Sequence, residues 1–175
     1  MATVSMVLPV ACWQPGDGTT DNIPPARGVL KGSQSGADIH LPFYGFDGAG
    51  AVHESIYVTF VMPNNYVSGG TLKLRGMINS TTGNVAFMQA QVGAITIADA
   101  DTPLEHAFST AATVSITANT TEARRLIGGD ITLNMDSAAA ADLVTIRLFR
   151  DPANGSDTHT TDFEFLGADF QYADA

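Results

Sequence analysis

The chain has 175 residues, a formal charge of −10 at neutral pH from 18 acids and 8 bases, and 45% apolar against 15% charged residues. That suffices for one packed domain, while the acidic balance speaks against nucleic-acid binding, because phosphates are met by Lys and Arg. The single cysteine excludes a disulfide scaffold, and 17 glycines and 8 prolines favour strands and turns over long helices.

The N-terminus lacks a basic leader region, and Pro9 interrupts its short apolar run, so no secretory signal is expected. No stretch approaches the roughly 20 apolar residues of a membrane helix. Residues 1–53 read as an extended N-terminal arm with one or two short strands. Val4, Met6, Leu8 and Val10 alternate as an edge strand, which Pro9 limits because proline cannot donate to a ladder. Turn chemistry follows at 15–18, 24–25 and 32–36, then an apolar group of Ile39, Leu41, Phe43 and Phe46. Cys12 has no partner in the chain and is expected as a small buried apolar residue.

From residue 54 the pattern is regular. Residues 54–62 place Ile56, Val58, Phe60 and Met62 on one face, and 68–70 read as a turn. Residues 71–75 put Leu72 and Leu74 inward and Lys73 and Arg75 outward. Further strands are predicted over 85–93, 113–117 and 130–135. In 143–150, Val144, Ile146 and Leu148 face inward, with Thr145, Arg147 and Phe149 opposite. The last strand spans 162–172, and Gly167 predicts a bulge that changes its inward parity. Residues 120–127, closed by Gly128 and Gly129, carry a weak signal for one or two helical turns. The sum is an all-β fold. It is read as an antiparallel two-sheet β-sandwich, most simply a jelly roll, over 54–175, preceded by the arm 1–53.

The chemistry-bearing motifs are sparse. The segment 32–36 has Gln34 where a nucleophile elbow needs serine. Gly48 and Gly50 lead into His53 and a strand, not into the helix of a dinucleotide site. Asp157, His159 and Asp162 would reach a divalent ion if their loop curled, and Asp99, Asp101 and Glu105 resemble the start of a calcium loop without its glycine. Both read more simply as polar turns, so no metal, cofactor or catalytic residue is expected, and the chain is not expected to be an enzyme. Glu164 lies between Phe163 and Phe165, projects from the opposite face, and is expected to pair with Arg147 or Arg150. A sugar-binding sandwich would line one exposed sheet with aromatics. The only tryptophan, Trp13, lies in the arm, which gives that reading little support.

The arm offers surface for assembly. Leu8, Val10, Trp13, Ile23 and Ile39 are the apolar side chains expected to anchor it on a neighbouring subunit, since such anchors carry interface energy; the alternative is that the arm folds back onto its own sandwich and covers an edge.

Two stretches resemble a family. Residues 57–75 run as a strand, Pro63-Asn-Asn-Tyr66, a Gly69-Gly70 turn and a second strand. Residues 142–172 run as a strand, Arg150-Asp151, Asp157-Thr158 and a strand ending in Tyr172. Together they are similar to tailed-phage virion structural proteins with a jelly-roll sandwich, including capsid decoration or cement proteins. The resemblance implies a protein on the outer capsid surface of a virion. It would bridge neighbouring major capsid protein subunits and stabilise the shell, as a homotrimer or alternatively a homodimer. The alternative it implies is a tail, neck or fibre component, receptor- or glycan-binding. Neither nucleic acid nor membrane is an expected partner.

Overall fold

In a computed structural model, described for residues 1–31, 39–50, 52–97 and 105–175, eleven strands pair antiparallel into two facing sheets. They are β1 (Thr3–Pro9), β2 (Gln14–Pro15), β3 (Ala26–Lys31), β4 (His40–Phe46), β5 (Glu54–Val61), β6 (Tyr66–Ile78), β7 (Val85–Ile95), β8 (Ala112–Thr117), β9 (Ile127–Thr132), β10 (Leu143–Arg150) and β11 (Phe163–Asp174). The six-stranded sheet runs β3-β4-β11-β6-β9, with β1 added to β11; the five-stranded sheet runs β2-β5-β10-β7-β8. The expected all-β two-sheet sandwich is the fold observed.

Period-2 alternation builds the core. Ile56 and Val58, Leu72 and Leu74, and Val144, Ile146 and Leu148 all point between the sheets and are buried. On β11 the inward set is Phe163 and Phe165, then Ala168, Phe170 and Tyr172. The parity changes because the register slips between Phe165 and Gly167, where Gly167 adopts φ +143°. This is the expected bulge, and it has a second role. β4 pairs with Phe163–Phe165 and β1 with 167–173, so the bulge lies where one neighbour hands over to the other. A Cβ on Gly167 would stand 3.2 Å from the Leu8 carbonyl oxygen.

The N-terminal region is woven into the sandwich. After β1, a 3-10 turn (Val10–Cys12) carries the chain across to the other sheet, where β2 pairs with β5. Trp13 sits at that crossing with 1% exposure. Its ring meets Phe165 edge-on at 5.3 Å, its Nε1–H donates to the Leu8 carbonyl at 3.3 Å, and Tyr44 Oη donates to its carbonyl at 3.0 Å. Leu8, Val10 and Trp13, expected on an outward arm, are therefore spent in the chain's own core. Ile23 is half-buried and bridged to the start of β5, and only Ile39 stands out, 71% exposed. The reason is topological. The chain must cross from one sheet to the other, and the crossing needs large apolar side chains to fill the end of the sandwich.

Other expectations are corrected in the same way. Cys12 is exposed, its Sγ–H donating to the Pro9 carbonyl at 2.9 Å, because Trp13 takes the core position beside it. Residues 68–70 do not turn; β6 runs through them beside β11 with an irregular register, and a Cβ on Gly70 would collide with Met135. Residues 120–127 form turns rather than helix, with Arg124 in the left-handed region and its N–H bound to the Ile78 carbonyl at 2.8 Å. The strand expected over 130–135 begins earlier, as β9. The 32–36 and 99–101 motifs lie outside the described residues.

Candidate binding face

The residues singled out as metal candidates do not converge. Arg150 falls on an inward position of β10 and is fully buried. Its guanidinium holds Asp157 in a two-point pair at 2.7 Å each, and donates to the carbonyls of Phe46 at 3.0 Å, Thr161 at 2.8 Å and His159. All five N–H donors are thus satisfied. His159 Nδ1 accepts from the Thr161 N–H at 3.1 Å. Burial pushes the His159 imidazole below its ordinary value, and the neighbouring Arg150 charge acts in the same direction. The 151–162 loop is therefore an Arg-centred tie that closes one end of the sandwich. Glu164 does project outward, but its partner is Arg124, at 3.1 Å, not Arg147 or Arg150. Among the described residues, no group of three or more His, Cys, Asp and Glu could hold a metal ion.

The outward positions of the five-stranded sheet have a different character. β5 presents Tyr57 and Thr59, β10 Thr145 and Arg147, and β7 Gln89 and Gln91. Tyr57, Arg147 and Gln91 lie directly opposite one another across three strands. Phe108 reaches this row from the segment before β8, its ring 6.2 Å from that of Tyr57 and 37% exposed. With Gly93, Ile95, His106 and Thr145 it lines an open pocket of about 150 Å³.

Two loops wall this face. On one side Tyr57 Oη donates to Asn22 Oδ1 at 2.6 Å, and Arg147 Nη2 donates to the Asp21 carbonyl, with Asp21 in the left-handed region at φ +61°. Asp17 organises that loop, its Oδ1 accepting from Thr19 N–H at 3.0 Å and Asn22 Nδ2 at 2.7 Å. On the other side Ser109 zips along β7. Its N–H donates to the Val92 carbonyl at 2.8 Å, its Oγ accepts the Val92 N–H at 3.1 Å, and its carbonyl accepts Gln91 Nε2 at 3.1 Å. His106 Nε2 lies 2.7 Å from Asp136 Oδ2, which also accepts the Ala94 N–H at 3.0 Å. Burial pushes the Tyr57 phenol upward, so the hydroxyl stays protonated and able to donate. The face therefore offers aromatic ring surface, amides and hydroxyls between two fixed walls.

Sequence parity had set Arg147 opposite the core. Phe108 carried no signal, and residues 16–23 read only as turn chemistry and the Ile23 anchor, since both arrive from irregular segments.

No protein-family model and no curated protein matches the sequence. Solved structures do share the fold. The CBM22-1 xylan-binding domain of Xyn10C from Paenibacillus barcinonensis superposes with a TM-score of 0.52, at 7% identity over 98% of this chain and 94% of that one. CBM35 from Cellvibrio japonicus Abf62 gives 0.46 at 10% identity, over 98% and 95%. The enzymatically active domain of tailspike protein 4 from bacteriophage CBA120 gives 0.44 at 9% identity, over 91% of this chain and 19% of that one. At 7% identity the likeness to the CBM22-1 domain is one of fold, a jelly-roll sandwich.

Proposed function

We propose that this chain is a glycan-binding module acting through the outer face of its five-stranded sheet, in a tail, neck or fibre component of a phage particle. The observation that carries the reading is the Tyr57–Phe108 aromatic pair, set beside Gln89, Gln91, Thr59 and Thr145 on an open sheet face. A sugar ring presents an apolar C–H face and a rim of hydroxyls. The rings accept the first, and the amides and hydroxyls accept the second. The same fold serves a xylan-binding domain, so a sandwich of this form has room for such a face.

The test is a glycan microarray with the intact chain, followed by titration of the best binder. Glycan binding that is lost in both Tyr57→Ala and Phe108→Ala, with folding retained, supports the reading. Binding unaffected by either substitution overturns it.

Capsid decoration is the second reading, favoured by one observation. Val29 (52% exposed), Ile39 (71%) and Leu41 (37%) line the β3–β4 edge, where a neighbouring subunit would gain apolar contact. It would place the chain on the outer capsid surface, against the major capsid protein and copies of itself. Mass spectrometry of purified virions separates the two. A copy number of the order of the capsid protein supports decoration, and a few copies per particle support the tail.

A further inference from the structure

The eight Lys and Arg side chains divide by partner. Lys73 meets Asp130 at 2.9 Å, Arg75 meets Asp169 at 3.4 Å, Arg124 meets Glu164 at 3.1 Å and Arg150 meets Asp157 at 2.7 Å. Arg27 lies over the Tyr44 ring, and Lys31 and Arg125 are on the open surface. Arg147 is different. It is half-buried at the centre of the binding face, yet all its described acceptors are neutral. Ser55 Oγ takes Nε–H at 3.2 Å and Nη2–H at 2.9 Å, Gln91 Oε1 takes Nη1–H at 3.1 Å, and the Asp21 carbonyl takes Nη2–H. Beneath it lies the Phe149 ring, 4.4 Å from the guanidinium carbon.

Three consequences follow. The guanidinium is fixed in place by four hydrogen bonds and a ring contact. Among the described residues no carboxylate lies within ion-pair distance of it, and a half-desolvated cation gains more from a counter-ion than an exposed one does. One Nη1 hydrogen remains undirected, because a guanidinium has five donors. In the wall, Asp17 directs its Oδ1 onto Thr19 and Asn22, and Asp21 meets Arg147 through its carbonyl oxygen. The outward strand positions that flank Arg147, namely Tyr57, Gln91, Thr145 and Phe149, are uncharged.

We infer that the glycan taken by this face is anionic, its acid group seated at Arg147 while a neighbouring sugar ring stacks on Tyr57 and Phe108. This rests on the glycan-binding reading above. The acid supplies the missing counter-ion, and a charge-assisted bond to a pre-oriented donor selects it over the neutral analogue.

The experiment is a microarray of matched pairs: neutral oligosaccharides against the same chains bearing a uronic or sialic acid, a phosphate or a sulfate. The preferred pair is then titrated at low and high salt. The expected result is a preference of about tenfold or more for one acidic member, weakened by salt. In Arg147→Gln the preference for the acidic member over its neutral partner should vanish. Arg147→Lys should keep part of it, which separates lost charge from a lost fold. The carboxylate, phosphate and sulfate arms identify the acid. Neutral and acidic members bound equally would overturn the inference and leave glycan binding standing. Binding to no glycan would overturn both.

Discussion

On the six-stranded sheet the outward positions hold Lys73, Arg75, Asp130, Glu164 and Asp169, and the charges close on one another or on Arg124. On the five-stranded sheet the equivalent positions hold Tyr57, Thr59, Gln89, Gln91 and Thr145, with Arg147 as the cation among them. Strand alternation produces both faces, and both rest on the same core. The first face is chemically closed: Lys73–Asp130 and Arg75–Asp169 are partly exposed and each contributes little to stability, whereas Glu164 is buried in its pair with Arg124. The second carries ring surface, and its polar groups pair within the face: Thr59 with Thr145, Gln91 with Arg147 and Ser109, and Tyr57 with Asn22. The two faces thus differ in how they pair, carboxylates with cations on one, and neutral groups with each other and with Arg147 on the other.

The largest expected effect tests the core that both faces share. Trp13→Ala should cost about 3–5 kcal/mol in urea denaturation, because it removes a fully buried ring at the crossing between the sheets. An unchanged midpoint would show that the ring is not part of the core.

Next comes the contrast between the faces themselves. Phe108→Ala should lower glycan affinity about tenfold while leaving the unfolding midpoint nearly unchanged, since an aromatic contact is worth roughly 0.5–1.5 kcal/mol and this ring is partly exposed. Equal losses of affinity and stability would mean that Phe108 is only packing.

A smaller effect concerns the loop that joins the sheets at one end. Burial holds the folded-state His159 below its unfolded value of about 6.5, so the unfolded chain binds the proton first. The stability it contributes is complete above pH 6.5 and is lost as the pH falls below that value. Urea midpoints at pH 7.5 and 5.5 should therefore differ more in the parent than in His159→Gln. Glu54 and Asp162 are shifted the other way, upward, chiefly by burial. Their contribution is common to both proteins and cancels. A parent and variant with the same pH dependence would remove the histidine from the account.

The smallest change belongs to the closed face. Lys73→Met breaks the pair with Asp130, whose side chain is 52% exposed, and should shift stability by less than about 1 kcal/mol without altering glycan binding. Lost binding in that variant would place the site on the wrong sheet.

Much of this was legible in the sequence where one physical rule acts alone. Alternation over 143–150 gave both faces of β10, while Arg150, expected as a possible partner of the outward Glu164, is buried against Asp157. Gly167 marked the bulge because few other residues tolerate its backbone angle. Signals failed where a local preference met a tertiary demand. Gly69 and Gly70 read as a turn, yet they lie within β6, at the register shift between the Thr71–Gln171 and Ser68–Ala173 pairs with β11. Trp13 and Leu8 read as an outward anchor, yet the crossing between sheets buries them.

The sequence by itself determined the all-β class, the inward and outward parity of the long strands, and the uncharged character of the positions around Arg147, because a period of two is written residue by residue. Only the tertiary structure decided which cations find carboxylates, and that the N-terminal region and the segment before β8 become walls. It alone brought Phe108 beside Tyr57. Those outcomes depend on contacts between residues far apart in the chain, such as Arg147 with Asp21, and no local pattern encodes which distant segment will arrive.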